Sequence, residues 1–424
     1  MQEKHYVSFT EEMKKEYKIL VPDMLPMHFR LITKLLESRG YNMEVLKNDG
    51  PEVVETGLKY VHNDTCYPAI LVIGQFINAL QSGKYDVNKT ALIYFQTGGG
   101  CRASNYISLM RKALEKAGYG FIPVISVSLN GLEKHSGFTL SVGDIARIFY
   151  CMFYGDLLLS LKNQVAPYEI NKGETEKIAN QITEELGAKV SEMGLSFGKV
   201  KKNCKKIIQR FKEIPVKKER KVKVGVVGEI YVKFSALGNN GLEKFLLSEN
   251  AEPVVPGLLD FFLYTVHAKI TDYKLFGLNK KLYPIFLLLY RFLLKKQKQF
   301  IEVIKKDGYF DSPTPFDEIV ELIDGYVNTG VKMGEGWLLP AEMLELKERG
   351  VKNIVCAQPF GCLPNHICGK GMMKPLKDKN PDINIVAVDY DAGATKVNQE
   401  NRIKLMLACA RENLLNEVAI SGDE

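Results

Sequence analysis

The residues in this sequence best suited to chemistry are its cysteines, and three of the eight occupy the same kind of place. Cys66 stands in Asn63-Asp-Thr-Cys-Tyr-Pro-Ala, immediately before a helix signal. Cys101 closes the loop Thr97-Gly-Gly-Gly-Cys between a strand and a helix, and Cys362 follows a strand in Gln358-Pro-Phe-Gly-Cys-Leu-Pro-Asn-His. Ligands of open parallel sheets bind beyond the carboxyl ends of the strands, where all three are expected. Helix starts offer free N–H groups and a positive dipole end, which favour thiolates and an anionic group. The run from Gly98 through Gly99 to Gly100 lets backbone amides approach a bulky ligand without side-chain collision. Zinc and simple ferredoxin sites use cysteines two to four residues apart, whereas the nearest pairs here are Cys356/Cys362 and Cys362/Cys368. Dispersed single cysteines suit an iron–sulfur cluster at a domain junction better than a structural zinc. Inert buried thiols and a nucleophilic cysteine are the competing readings.

Other candidates carry weaker signals. Cys356 lies in or at the end of a strand and is an ambiguous fourth ligand; Cys368 is placed similarly, and a core position is the default for both. Cys151, in the apolar run Ile145–Tyr154, and Cys409, in Leu405–Ala410, read as core, while Cys204 sits among lysines with no ligand partner near it in sequence. His366, four residues after Cys362, is a ligand, an acid–base group or a loop stabiliser. No two carboxylates show a spacing that marks an acid–base pair. Glu229, after Gly228, and Glu335, in Gly334-Glu-Gly-Trp, lie in loops from which either could reach a site. The Thr97 glycine run lacks the Gly-Lys-Ser/Thr of a P-loop. Asp391-Ala-Gly-Ala-Thr-Lys has the look of an ATPase turn, but a helix pattern follows it where a second strand should, which argues against ATP binding.

The elements that must position these residues alternate. Strand signals at 17–21, 41–46, 91–95 and 121–127 are separated by helical patterns at 27–39, 69–80 and 106–117, with Gly40 and Gly118 placed just past helix ends. This predicts an α/β fold with a parallel sheet and helices on its faces. Long amphipathic patterns then replace strands from about 141 to 211. Strands resume at 222–227 and near Val254, and a mostly helical stretch from 258 to about 304 is interrupted by Pro284. The last strands fall at 353–357 and 384–388. The expected organisation is two Rossmann-like domains with parallel sheets plus a helical segment. Residues 1–135 form an N-terminal α/β domain with Cys66 and Cys101, and residues 136–215 a helical segment. Residues 216–424 form a C-terminal α/β domain with a helical insertion near 258–306 and Cys362. The two α/β blocks read as distant copies of one domain type.

Composition bounds the class. The 424 residues are 46% apolar and 25% charged, which excludes disorder and gives each domain enough material for a core. Eight cysteines are too few for a disulfide-stapled secreted scaffold, and the charged start of the chain does not resemble a signal peptide. The greasiest run, Leu282–Leu294, contains Pro284 and Arg291 and falls short of the roughly 20 apolar residues of a membrane span. It reads as a buried or partner-facing helix. A reducing, cytoplasmic location is expected. The formal charge of +7 is local: residues 199–223 hold 12 Lys or Arg against Glu213 and Glu219, leaving −3 for the rest. Such a stripe is a solvated helix face or a dock for phosphates or an acidic protein. Only Phe211 interrupts its cations, and no nucleic-acid-binding pattern accompanies it.

The segments around Asn63-Asp-Thr-Cys, Gln96-Thr-Gly-Gly-Gly-Cys-Arg-Ala-Ser-Asn-Tyr, Gln358-Pro-Phe-Gly-Cys and Asp389-Tyr-Asp-Ala-Gly together resemble the 2-hydroxyacyl-CoA dehydratase superfamily. More closely they resemble its activase-related branch, which Gly228-Glu-Ile-Tyr-Val, Asn239-Asn240 and Gly334-Glu-Gly-Trp also fit. The resemblance spans nearly the whole chain. It implies an oxygen-sensitive protein of anaerobic metabolism with Cys66, Cys101 and Cys362 as cluster ligands and Cys356 as an additional one. A [4Fe-4S] cluster is the implied cofactor, with a double-cubane cluster as the alternative. It further implies low-potential electrons from a separate ATP-dependent activator, driving a radical dehydration of an acyl-CoA or another reductive reaction. A non-catalytic electron-transfer or cluster-carrying partner, or a double-cubane-type reductase of small molecules, is the alternative. Gly99, Gly100, Arg102, Asn105, Glu229, Glu335 and His366 would then surround the substrate or cluster. The expected partners are the activator, an acyl-CoA or other small molecule, and further subunits in a homo- or hetero-oligomer; neither nucleic acid nor membrane is expected.

Overall fold

The computed structural model describes residues 6–96, 101–128, 135–194 and 196–421. In the first third, a short α1 (Glu11–Glu16) leads into β1 (Lys18–Val21), α2 (Pro26–Glu37), β2 (Asn42–Val45), α3 (Pro51–Tyr60) and α4 (Tyr67–Gln81). The segment closes with β3 (Thr90–Gln96), α5 (Tyr106–Lys116) and β4 (Val124–Ser128). Three long helices follow: α6 (Val142–Val165), α7 (Glu174–Lys189) and α8 (Phe197–Lys212). The chain then forms β5 (Lys223–Gly228), α9 (Ile230–Phe234), α10 (Leu242–Ser248) and β6 (Glu252–Val254). Next come α11 (Leu258–Phe276), α12 (Tyr283–Asp307), α13 (Phe316–Leu322) and α14 (Leu338–Glu348). It ends with β7 (Asn353–Pro359), α15 (Met373–Lys379), β8 (Asn384–Tyr390) and α16 (Lys396–Ser421).

Two four-stranded sheets, every pairing parallel, make this an α/β protein with two parallel-sheet domains, as the alternation of signals predicts. The strand orders are β2-β1-β3-β4 and β6-β5-β7-β8. Each sheet is therefore wound in the same sequence, outward from its first strand in one direction and then back past it in the other. The reversal opens a crevice at the carboxyl ends of β1 and β3, and again at β5 and β7. The central strands β5 and β7 are short, apolar and buried on both faces, the pattern that helix-covered parallel strands require.

Local sequence explains the element ends. Gly40 and Gly118 take positive φ values of 86° and 83° just beyond α2 and α5, a conformation in which a side chain would be strained. Ser141 opens α6 through a reciprocal capping arrangement with Asp144. Pro284 does not break a helix as the sequence suggested. It occupies the first turn of α12, where its missing N–H is harmless, and Gly277 ends α11 instead.

Candidate functional site

Three loops from the two sheets meet at the crevice. Cys66 caps α4, and its neighbour Tyr67 donates its backbone N–H to the carbonyl of Phe360, 3.0 Å away. Phe360 and Gly361 belong to the loop after β7. Gly361 has φ +70°, and a Cβ there would lie 3.0 Å from the Cys66 Cα. Only glycine combines that backbone conformation with so close an approach. The β7 loop is thereby seated on the start of α4 and brings Cys362 beside the first domain. Cys101 follows β3 and caps the short turn Arg102–Asn105, whose Ser104 donates both its N–H and its hydroxyl to the Cys101 carbonyl, at 3.1 and 2.7 Å. Gly334 approaches from the other side: a Cβ there would stand 2.9 Å from Pro364 and 3.9 Å from the Cys101 Sγ.

The three thiols share one local design. Each has a backbone amide of its own turn beside it that favours the thiolate, Ala69 for Cys66, Ala103 for Cys101 and Asn365 for Cys362. The Tyr106 hydroxyl, at the start of α5, is 3.1 Å from the Cys66 Sγ. Burial pushes all three thiols up, Cys101 to about 12. Neighbouring negative charge acts in the same direction. Cys101 feels Glu335, Glu229 and Cys66, Cys362 feels Glu335, Glu229 and Cys101, and Cys66 feels Glu229, with Arg102 opposing. These mutual interactions place the three cysteines and two glutamates in one electrostatic neighbourhood.

Glu229 and Glu335 form the acidic side of the site. Glu229 caps α9 and accepts the Val232 N–H at 2.9 Å, while Glu335 reaches the same helix start and accepts the Ile230 N–H at 3.0 Å. Glu335 is projected from a tight turn in which Gly334 and Gly336 both have positive φ. Glu335 is buried and Glu229 partly so, and both are pushed above the ordinary carboxylate range, mainly by desolvation, and Glu229 further by the charge of Glu335. The amides of α9 and the cation Lys233 hold the opposite tendency. Lys233 is itself buried in a 2.9 Å pair with Glu342. Like charges side by side in an apolar setting favour one shared proton over two ionised groups.

The remaining sequence candidates are dispersed. Cys356 points from β7 into the space by Asn365 and Gly369, and its electrostatic neighbours are Asp389 and Lys370. Cys368 is buried on the Glu335 side, and burial, with that carboxylate adding to it, raises its thiol. His366 is exposed, and its Nδ1 lies 2.8 Å from the Cys362 carbonyl, so it braces the cysteine loop. Arg102 and Asn105 are exposed at the rim. Gly99 and Gly100 lie outside the described residues. Cys204 is not on the lysine face of α8; it is wholly buried on the opposite face with Val200, Ile207 and Phe211. Cys409, read as core, is exposed because α16 buries the stripe Ile403, Met406, Leu407 and Ala410, which passes beside it.

Sequence reasoning missed the role of Tyr106 and the polar lining behind the site. The Gln358 amide is fully buried with neither end hydrogen-bonded among the described residues, and the Asn365 Nδ2, Tyr264 hydroxyl and Trp337 Nε1 are similarly unpartnered. Gln358 adjoins the Pro359–Cys362 loop at the end of β7, a position that marks it as a candidate in any parallel sheet. Among the described residues no group of three or more His, Cys, Asp or Glu is arranged to hold a metal ion. Comparison of the chain with protein-family models and with curated proteins finds no match.

Proposed function

We propose that this protein is an iron–sulfur protein of the 2-hydroxyacyl-CoA dehydratase type, which accepts low-potential electrons from an ATP-dependent activator for a reductive or radical dehydration. The observation that carries the reading is the shared design of Cys66, Cys101 and Cys362. Three thiols from three loops of two domains share one electrostatic neighbourhood, and each has a backbone amide of its own turn that favours its charged form. This donor set fits a polynuclear cluster, whose several irons hold thiolates farther apart than a single ion does. The cluster would supply reversible one-electron transfer and an iron open to substrate oxygen.

The chain's own groups have definable tasks. Amides of Ala69, Ala103 and Asn365 offset thiolate charge, so the ligands can stay deprotonated in a buried setting that otherwise keeps them neutral. Glu229 and Glu335 hold a proton at the α9 start within electrostatic reach of the thiols. Such a proton is available to a leaving hydroxyl. Gly361 and Gly334 let the two loops approach the cysteines closely.

The test is anaerobic purification with iron and sulfide analysis and electron paramagnetic resonance of the reduced protein. A brown protein with roughly four irons, the content of one [4Fe-4S] cluster, is expected. A colourless, metal-free protein after anaerobic reconstitution overturns the reading. Turnover of a 2-hydroxyacyl-CoA with activator and reductant then separates an enzyme from an electron carrier.

A further inference from the structure

The hairpin of α11 and α12 projects a tip with no buried residue from 273 to 292. Its surface is strongly apolar. Leu275, Phe276 and Leu278 line the turn, with Phe276 58% exposed. On α12, Leu282, Ile285, Leu288, Leu289 and Phe292 are exposed at a spacing that gathers them on one helix face, with Leu288 at 71%. A patch of this size on a soluble protein marks a surface that something covers.

Charge indicates what covers it. From Tyr273 to Ile301 the sequence has Lys274, Lys280, Lys281, Arg291, Lys295, Lys296 and Lys298, and no acidic residue. Of these only Lys298 pairs with a carboxylate among the described residues, at 2.5 Å from Asp317. A second copy docked on the same face would set seven cations against seven. Exposed leucine, isoleucine and phenylalanine beside unpaired lysines is the make-up of a helix that lies in a bilayer interface. We propose that the tip docks on an anionic phospholipid surface, with the apolar face of α12 at the headgroup boundary and the lysines on lipid phosphates. Among the described residues no helix is long and apolar enough to cross a membrane, and surface docking needs none. The expectation of no membrane partner rests on span length and leaves this mode open.

The test is flotation of the full chain with vesicles of phosphatidylcholine alone or mixed with phosphatidylglycerol. Binding to the mixed vesicles, and much weaker binding to the neutral ones, is expected. The double variant Ile285→Ser/Leu288→Ser, at exposed positions, should lower partitioning about tenfold or more. Lys280→Gln and Lys281→Gln should each lower it roughly fivefold. The triple variant Lys201→Gln/Lys202→Gln/Lys205→Gln, on the solvent face of α8, should float as the parent does. Absence of flotation overturns the proposal. So does flotation lost in the α8 variant but kept in Ile285→Ser/Leu288→Ser, or a dimer in sedimentation that this double variant dissolves while vesicles bind neither protein. None of these outcomes depends on the presence of iron.

Discussion

Cys204 and Cys151 in the helical layer and Cys101 at the crevice have the same chemistry and the same starting difficulty. Burial pushes each thiol to about 12. What differs is the company. The helical pair sits in an apolar layer with the Tyr154 hydroxyl nearby and hydrogen bonds tied to its own helices, whereas Cys101 faces an amide from a turn start, two glutamates and a second cysteine. A buried thiol among hydrocarbon is a small apolar side chain. One that is ringed by polar groups of both signs can change charge state when a cation arrives.

Substitutions sharpen this contrast. The largest effect is expected at the crevice: Cys66→Ser, Cys101→Ser or Cys362→Ser should each lose most of the iron and the absorption near 400 nm. Cys204→Ala should keep both, while lowering stability by about 1 kcal/mol through lost packing in a urea titration. Retention of full iron in Cys101→Ser would break the comparison. Next, Gly361→Ala forces a side chain into positive φ and against the Cys66 backbone. A loss of about 1–3 kcal/mol is expected from that strain, read as a lower melting temperature, with the iron loss of the cysteine variants.

Protonation gives a third, smaller test. Glu229 and Glu335 have folded pKa values above their unfolded ones, so the native metal-free protein holds more protons than the unfolded chain between the two values. Their contribution to stability is fully present below the unfolded pKa and falls as pH rises through the raised ones. Urea midpoints of the metal-free protein should therefore decline from mildly acidic toward neutral pH and above, and Glu335→Gln should flatten the slope. A slope unchanged in that variant would remove the carboxyl pair from the account. The smallest effect is expected for Tyr106→Phe, which deletes the hydroxyl at Cys66 and should cost about 1 kcal/mol without moving the helical cysteines.

Much of the fold was legible because periodicity and glycine placement are local. Gly40 and Gly118 mark helix ends whose positive φ the chain indeed adopts, and the alternation of apolar runs yields two parallel sheets. The candidate site was legible to the extent that strand-end loops are predictable, which singled out Cys66, Cys101 and Cys362. The pairing of Glu229 with Glu335 was not. Their meeting at the start of α9 depends on how the Gly334–Gly336 turn folds back, and no spacing encodes that. Cys204 was misplaced because the lysines around it dominate the linear sequence, while Val200, Cys204, Ile207 and Phe211 share a face only once the helix is wound. Cys409 failed for the opposite reason: an apolar run looks buried until the helix rotates one of its members away from the sheet.

The seat of Gly361 on the start of α4 sets a schedule for biosynthesis. Cys66 and Cys362 are 296 positions apart, so the first thiol leaves the ribosome long before the last one exists. At about 5–20 residues per second the wait is roughly 15–60 s, time enough for the first sheet to fold alone with its half of the crevice open to solvent. A crevice with all three thiols in place exists only once the second sheet has folded and the amide of Tyr67 has met the carbonyl of Phe360.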